Sequence, residues 1–261
     1  MPIFIKSSYD VAKLLNIAVY FTRSMMNISE NRGRIFIIKR EIDGKEGRKL
    51  IYDSSLCFGC EMCSTVCPQN AITLYPLAYM FTRGTRIRID SSKCILCGIC
   101  SEVCPSNALK VDGVKVKLRK FFLANFECED CKVCEEVCPW DAIISVDGKK
   151  EWIEELCIFC GRCAKLCPDN KIFVEKPISG EVLIGEECKF CGVCMDICPS
   201  KAISFDGKKM VVDEEVCIFC GACKNACPIK VIEVKRSEVR IESSEYPWSK
   251  RHEEAINLLR R

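Results

Sequence analysis

The sequence predicts an α+β protein of three small tandem units, made of short hairpins and one-turn helices, with one further helix at each end of the chain. Three observations lead to this fold class. One cysteine run is repeated six times, Asp-Gly turns lie between apolar segments, and a helical spacing of apolar residues precedes the first run and follows the last.

The repeated run is C-x-x-C-x-x-C-x-x-x-C-P, and its six copies hold all 24 cysteines of the 261-residue chain. The copies begin at Cys57, Cys94, Cys128, Cys157, Cys188 and Cys217. Units this short bury little apolar surface, so a bound inorganic group has to replace most of a hydrophobic core. We predict an N-terminal amphipathic segment at 1–33, three units at 34–118, 119–180 and 181–237, and a C-terminal helical segment at 238–261.

Both terminal segments have helical patterns. In residues 8–29, apolar side chains recur at helical spacing from Val11 to Ile28. This helix either packs against the back of the chain or docks on a partner subunit or a membrane surface. A second docking helix is predicted over Pro247 to Leu259. It carries His252, the only histidine, which we expect to be a surface or packing residue rather than a ligand.

Between these ends the sequence predicts strands and turns. Arg34–Ile42 and Arg48–Asp53 are two predicted strands that lead into the first run. A P-x-x-A-I pattern after most Cys-Pro pairs predicts a one-turn helix that is followed by a strand. Hairpins are predicted at Val146–Lys149, at Phe205–Lys208, at Val111–Val114, and over Lys171–Ile184. Residues 75–83 read as an insertion in the first unit.

The cysteines admit three interpretations. A disulfide scaffold needs an oxidising compartment, and residues 1–10 lack the apolar region of a secretory signal. Structural zinc sites use two C-x-x-C pairs separated by a longer loop, not a four-cysteine run that ends in proline. Six runs with the ligand spacing of bacterial ferredoxins instead predict six [4Fe–4S] clusters, because each iron of a cluster takes one thiolate.

The formal charge of +3 treats the thiols as neutral. Six oxidised clusters with their thiolates bring it to about −9, so the basic residues partly compensate cluster charge. They do not indicate nucleic-acid binding, since the basic residues form no long run. The sequence contains no stretch of 18 apolar residues, so it predicts no membrane-spanning segment.

The fourth cysteine of a run binds the partner cluster of a two-cluster unit, so the pairing of the runs decides the ligand sets. In two of the consecutive pairs, 18 residues separate the runs, which favours consecutive over nested pairing. The six predicted sets are Cys57, Cys60, Cys63 with Cys104; Cys94, Cys97, Cys100 with Cys67; Cys128, Cys131, Cys134 with Cys167; Cys157, Cys160, Cys163 with Cys138; Cys188, Cys191, Cys194 with Cys227; and Cys217, Cys220, Cys223 with Cys198. In a nested arrangement, with one two-cluster unit inserted in another, the fourth cysteines would bind different clusters.

Residues beside the cysteines are expected to set the backbone conformation, charge and packing around each cluster. Glycines next to the cysteines are expected where the backbone approaches a cluster or adopts a positive φ; they are Gly59, Gly98, Gly161, Gly192 and Gly221. Glu129 and Asp130 either lower the potential of the third cluster, mark a docking face, or are simply exposed to solvent. Trp140 is expected to pack rather than to relay electrons.

The six runs, over residues 50–236, resemble a polyferredoxin made of three fused two-cluster ferredoxins. A second resemblance covers residues 10–110. The N-terminal helix, Asn31-Arg32-Gly33-Arg34-Ile35, Arg88-Ile89-Asp90 and the first two runs are similar to the two-cluster subunit of respiratory complex I and of energy-converting [NiFe] hydrogenases. That resemblance implies hydrogenase or membrane subunits and a soluble ferredoxin or other electron carrier as partners, on the cytoplasmic face of the membrane in an anaerobic archaeon.

Two functions therefore remain open. The first is an electron-wire subunit of a larger complex, foremost a membrane-associated hydrogenase. The second is a soluble cytoplasmic polyferredoxin, or the polyferredoxin subunit that accompanies formylmethanofuran dehydrogenase or a soluble hydrogenase. An enzyme in its own right is not predicted, because the sequence has no G-x-G-x-x-G or Walker run and every cluster has four cysteines.

Overall fold

The computed structural model describes residues 25–42, 45–77, 84–113, 117–118, 120–126, 128, 131–147, 149–242 and 249–260. The chain divides into two compact units, Met1–Val116 with Ser244–Ile256 and Lys117–Ser243 with Asn257–Arg261. No helix in these described ranges has the length and apolarity that a bilayer crossing requires.

The first compact unit contains an antiparallel four-stranded sheet and an inner hairpin. The sheet has the order β1-β2-β3-β6, formed by β1 Met25–Arg32, β2 Ile35–Ile42, β3 Lys45–Asp53 and β6 Leu109–Val111. The hairpin pairs β4 Ile72–Leu74 with β5 Ile87–Ile89. Two one-turn helices, α1 Met62–Thr65 and α2 Ile99–Glu102, carry the third cysteines of the first two runs.

The second compact unit repeats this arrangement twice. The first copy has β8 Phe121–Ala124, α3 Val133–Glu136, β9 Ile143–Val146, β10 Lys149–Trp152, α4 Arg162–Leu166 and β11 Ile172–Glu175. The second has β12 Ile178–Ile184, α5 Val193–Ile197, β13 Ile203–Phe205, β14 Met210–Val212, α6 Ala222–Ala226 and β15 Ile232–Val239. A short pair joins β7 Lys117–Leu118 to β16 Ile241–Glu242.

The element order β-α-β-β-α-β thus occurs three times. In each repeat the first and last strands pair antiparallel, as β3–β6, β8–β11 and β12–β15, and the two middle strands form a hairpin. The two helices of a repeat also contact each other, which brings together the two runs that carry them. The predicted α+β class of short strands and one-turn helices is confirmed.

The apolar pattern of the strands explains the first sheet. Ile38 lies opposite Leu50, and Leu50 lies opposite Val111, so one buried row crosses three strands. Cysteines are part of the same core, including Cys63, Cys100 and Cys104. In the second unit, Trp152 stacks on Phe122 at 4.3 Å between ring centroids beside a core that contains Cys134 and Cys163. The apolar side chains form a shell around the cysteines rather than a separate core.

Several predicted elements are confirmed. The two strands before the first run are β2 and β3, and the hairpins at Val146–Lys149 and Phe205–Lys208 are β9–β10 and β13–β14. The C-terminal helix, α7, spans Ser249–Asn257 and ends in a 3-10 turn over Leu258–Arg260. Its residues Ile256 and Leu259 are fully buried within this chain, so docking of that face on a partner is not supported.

Other predicted elements are wrong. Lys171–Ile184 is not a hairpin, because β11 pairs with β8 and β12 pairs with β15. Asp112-Gly113 does not join two paired strands, since β6 pairs with β3 and β7 with β16. The one-turn helices precede the fourth cysteines instead of following Cys-Pro. Residues 25–29 of the predicted N-terminal helix belong to β1, and residues 8–24 lie outside the described residues.

Candidate iron–sulfur sites

The local backbone turns each cysteine run around a common centre. The residue after the second cysteine is left-handed in five runs and starts the one-turn helix; these residues are Glu61, Gly98, Gly161, Gly192 and Gly221, with φ of 71°, 91°, 77°, 79° and 92°. The predicted positive φ of the five cysteine-flanking glycines is confirmed, with Gly59 at 73°. In the third run Lys132 has φ −108°, so that loop is built differently.

A second left-handed residue follows each fourth cysteine by three positions; these residues are Asn70, Asn107, Asp141, Asn170, Lys201 and Lys230. Asn and Asp tolerate this conformation better than other side chains. The turn directs the next backbone N–H at the sulfur. The N–H donors of Ala71, Ala142, Lys171 and Ala202 lie 3.2–3.3 Å from Sγ of Cys67, Cys138, Cys167 and Cys198. These N–H dipoles place partial positive charge at the sulfur atoms.

Five cavities are each lined by three cysteines of one run and the fourth cysteine of its neighbour. Their atom-free space, including the part open to solvent, lies between 330 and 370 Å³. The cysteines that line them are Cys57, Cys60, Cys63 and Cys104; Cys94, Cys97, Cys100 and Cys67; Cys157, Cys160, Cys163 and Cys138; Cys188, Cys191, Cys194 and Cys227; and Cys217, Cys220, Cys223 and Cys198.

The remaining four cysteines also lie near one another. Cys167 packs against the apolar cluster that contains Cys134. Burial raises the pKa of the Cys134 thiol, and the charges of Cys131 and Cys128 raise it further. Glu129 and Asp130, which the sequence singled out in this run, lie outside the described residues.

Several of the buried cysteine thiols are difficult to ionise without a compensating cation. Burial raises the pKa of Cys160 to about 11 and that of Cys163 to about 12. In the third repeat, burial likewise raises the pKa of Cys217 to about 11 and that of Cys223 to about 12. Four thiolates in such a cavity repel one another, so they need iron to balance their charge.

The donor sets suit a multi-atom cluster better than a single ion. A structural zinc ion takes four ligands at about 2.0–2.3 Å from a common point, whereas each iron of a cluster takes one thiolate. The cysteines instead surround cavities with mainly apolar walls, into which backbone N–H groups point. These residues fit [4Fe–4S] clusters, which would supply one-electron redox chemistry.

Basic side chains hold the backbone of several cysteine loops. Arg48 donates from Nη1 to the carbonyl of Leu96 at 3.1 Å, and Arg236 donates from Nε to the carbonyl of Phe219 at 2.8 Å. Lys176 Nζ lies 3.1 Å from the carbonyl oxygen of Cys217, and Lys150 donates to the carbonyl of Cys131 and pairs with Glu135. These contacts place positive charge beside the clusters, as the charge balance predicts.

Sequence reasoning missed several residues of the sites. Leu96, Phe159, Phe190 and Phe219 adopt positive φ two residues after the first cysteine, although none is glycine. The Asn or Asp that recurs three residues after most fourth cysteines was a usable signal for the left-handed turn. Trp140, predicted to pack, also donates from Nε1 to the carbonyl of Pro199 at 2.9 Å. His252 is half-buried, and that burial lowers its pKa.

Comparison with protein families agrees with this chemistry. A family model described as the 4Fe-4S dicluster domain matches residues 56–108, 93–142 and 187–231, and a second model of the same description matches residues 127–172. The first model covers more than half of the chain, which therefore belongs to the 4Fe-4S dicluster domain family. The protein is an electron-transfer protein with several [4Fe–4S] clusters.

A solved structure gives a particular relative. A chain of the formate dehydrogenase–heterodisulfide reductase–formylmethanofuran dehydrogenase complex of Methanospirillum hungatei is similar at 29% identity and a TM-score of 0.74. The match covers 88% of this chain and 91% of that one. A comparison with curated proteins found no match.

Proposed function

We propose that the chain binds six [4Fe–4S] clusters in three two-cluster units, over residues 34–118, 119–180 and 181–237. Each cluster takes the first three cysteines of one run and the fourth cysteine of the neighbouring run, as in the six sets given above. The five cysteine-lined cavities support this assignment, because each contains one such set. In the remaining set, Cys134 and Cys167 meet in one apolar cluster.

The clusters act together as a wire. Within a two-cluster unit, the two one-turn helices contact each other and bring the third cysteines of both runs close together. Cys63 and Cys100 lie in one apolar core, and Cys134 and Cys163 lie in another. Between the second and third repeats, Trp140 lines the cavity of the Cys138 set and donates a hydrogen bond to Pro199, which lines the cavity of the Cys198 set. Electrons therefore cross between these repeats at the junction of the Cys138 and Cys198 sites.

The host is a multi-subunit redox complex in the cytoplasm, with formylmethanofuran dehydrogenase as a component. The single observation that favours it is the similarity, over nearly the full length of both chains, to a chain of the M. hungatei complex. The second candidate is a membrane-associated energy-converting hydrogenase, supported by the resemblance of residues 10–110 to its two-cluster subunit. Partners in either case are other redox subunits and a soluble electron carrier.

Affinity purification of a tagged copy from its native anaerobic source tests the host. We expect subunits of a formylmethanofuran dehydrogenase to copurify in fixed proportion, together with their electron-donating enzyme. Hydrogenase and membrane subunits in their place would support the second candidate. A tagged holoprotein that stays monomeric and exchanges electrons only with free carriers would contradict the wire-subunit proposal.

A further inference from the structure

Arg86 is a buried cation at the edge of the first cysteine-lined cavity. It lies directly before β5 and has no solvent exposure. Its guanidinium lies against Gly59, where an added Cβ would stand 2.7 Å from Cζ and overlap the group. Gly59 separates Cys57 from Cys60 in the run, so the guanidinium lies against the loop that carries both thiols. A glycine at this position makes room for the arginine.

None of the three guanidinium nitrogens of Arg86 has a hydrogen-bond partner among the described residues. Arginine remains protonated in proteins, so this side chain is a buried positive charge. Residues 78–83, which lie outside the described ranges and precede Arg86 closely, contain no Asp or Glu. A buried charge requires a compensating charge nearby.

Three side chains act on Arg86 electrostatically, and they are Cys57, Tyr52 and Cys60. Tyr52 is neutral at physiological pH, as a tyrosine phenol ordinarily is, and its hydroxyl lies 3.2 Å from Oγ1 of Thr85. The thiolates of Cys57 and Cys60, with the iron–sulfur group they would bind, are therefore the only negative charge available to the guanidinium among the described neighbours.

The other basic residues beside the cysteine loops differ from Arg86. Arg48 donates to the carbonyls of Leu96 and Gly113, and Arg236 donates to those of Phe219 and Cys220. Their hydrogen bonds are satisfied by backbone, so part of their role is to hold the loop. Arg86 has no such acceptor in the described structure, and its position is explained by charge alone.

We propose that Arg86 is the counter-cation of the cluster bound by Cys57, Cys60, Cys63 and Cys104, and that it raises the reduction potential of this cluster. The inference rests on the ligand set given under the proposed function. Reduction adds one electron to the cluster, and a fixed positive charge in a buried site stabilises the more negative reduced form. Arg86 neither gains nor loses a proton in this step.

Redox titration of the purified holoprotein, followed by electron paramagnetic resonance, tests the role of Arg86. In Arg86→Met we expect the reduction equilibrium constant of one cluster to fall at least tenfold, a shift of about 59 mV for one electron. The other clusters keep their potentials. Arg86→Lys retains the charge and shifts less than Arg86→Met. Arg88→Met is the matched control, since it removes an exposed arginine two residues away and is expected to shift nothing.

The iron content of each variant decides the remaining outcomes. If Arg86→Met loses the iron of one cluster and Arg86→Lys keeps it, the charge is needed to retain the cluster, which supports the proposal. If both variants lose the iron of one cluster, Arg86 has a packing role and the proposal is overturned. The proposal is also overturned if Arg86→Met keeps all of its iron and every cluster keeps its reduction potential. Cys60→Ala separates the two proposals: if it removes no cluster, the ligand set itself is wrong.

Discussion

At the scale of single residues, the choice of the fourth cysteine decides which runs share a cluster. Cys227 lines the same cavity as Cys188, Cys191 and Cys194, whereas Cys198, four residues beyond Cys194 in the same run, lines the cavity of the next run. In the proposed ligand sets this crossed arrangement ties two runs into one two-cluster unit, because each cluster takes a residue from the partner run.

Paired cysteine variants test this assignment. Cys191 is the most suitable starting point, because it is the one exposed cysteine of the 24 and its replacement disturbs packing least. We expect Cys191→Ala and Cys227→Ala each to remove one cluster, about four iron atoms per chain, and the double variant to remove no more. The matched control, Cys191→Ala with Cys198→Ala, removes two clusters, about eight iron atoms. A reversal of these two double-variant results would contradict the consecutive pairing.

The cluster-binding cysteines could be predicted from the sequence better than the residues that surround them in the fold. All 24 cysteines were evident, because six copies of one spacing carry a strong signal. Arg86 was not, since a lone arginine in a short segment has no pattern, and only the folded chain brings it against Gly59. Non-glycine residues at positive φ, such as Phe159 and Phe219, were also missed, because the fold imposes that conformation against local preference.

At the scale of elements, five of the six one-turn helices begin at a residue whose backbone is left-handed. A Cβ added to Gly192 would contact nothing within 4 Å, so its replacement reports backbone strain alone. We expect Gly192→Ala to destabilise the holoprotein by about 1–2 kcal/mol. Glu61 occupies the corresponding position at φ 71°, and Glu61→Gly should be neutral or stabilising by up to about 1 kcal/mol.

The measurement for both variants is the guanidinium midpoint at which cluster absorbance disappears under anaerobic conditions. Opposite signs for the two substitutions are the expected result. Equal destabilisation by both would show that the left-handed start of the helix is not what these positions require.

Local elements were predicted more reliably than long-range pairings. The turns at Val146–Lys149 and Phe205–Lys208 carry their own Asp-Gly signal, and both form hairpins. The pairs β8–β11 and β12–β15 join strands that are about 50 residues apart, and nothing in a short window of sequence identifies the partner. For this reason the hairpin predicted over Lys171–Ile184 is wrong: β11 is the last strand of the second repeat, and β12 is the first strand of the third.

At the scale of the whole molecule, the junction between the second and third repeats is where the proposed wire passes electrons onward. The indole N–H of Trp140 donates a hydrogen bond to the carbonyl of Pro199. The same two repeats are also joined by Lys165, which pairs with Asp213 at 2.6 Å and with Glu215 at 2.8 Å. The indole contact is partly buried, while the ion pairs are exposed and therefore screened by salt.

Trp140→Phe removes the indole N–H and keeps an aromatic ring. We expect a loss of about 0.5–1.5 kcal/mol in stability and slower electron equilibration between the repeats. Lys165→Met is the control, and at high salt it should change neither quantity. Pulsed reduction followed by rapid spectroscopy measures the equilibration. A Trp140→Phe protein that equilibrates at the wild-type rate would place the electron route elsewhere.

The central claim is that six clusters replace the hydrophobic core of this chain and together form its electron path. Its most direct test is the iron and sulfide content of anaerobically prepared, folded protein. We expect about 24 iron and about 24 sulfide per chain, with unfolding when a chelator removes the iron. A compact, stable protein that holds far fewer iron atoms would contradict it.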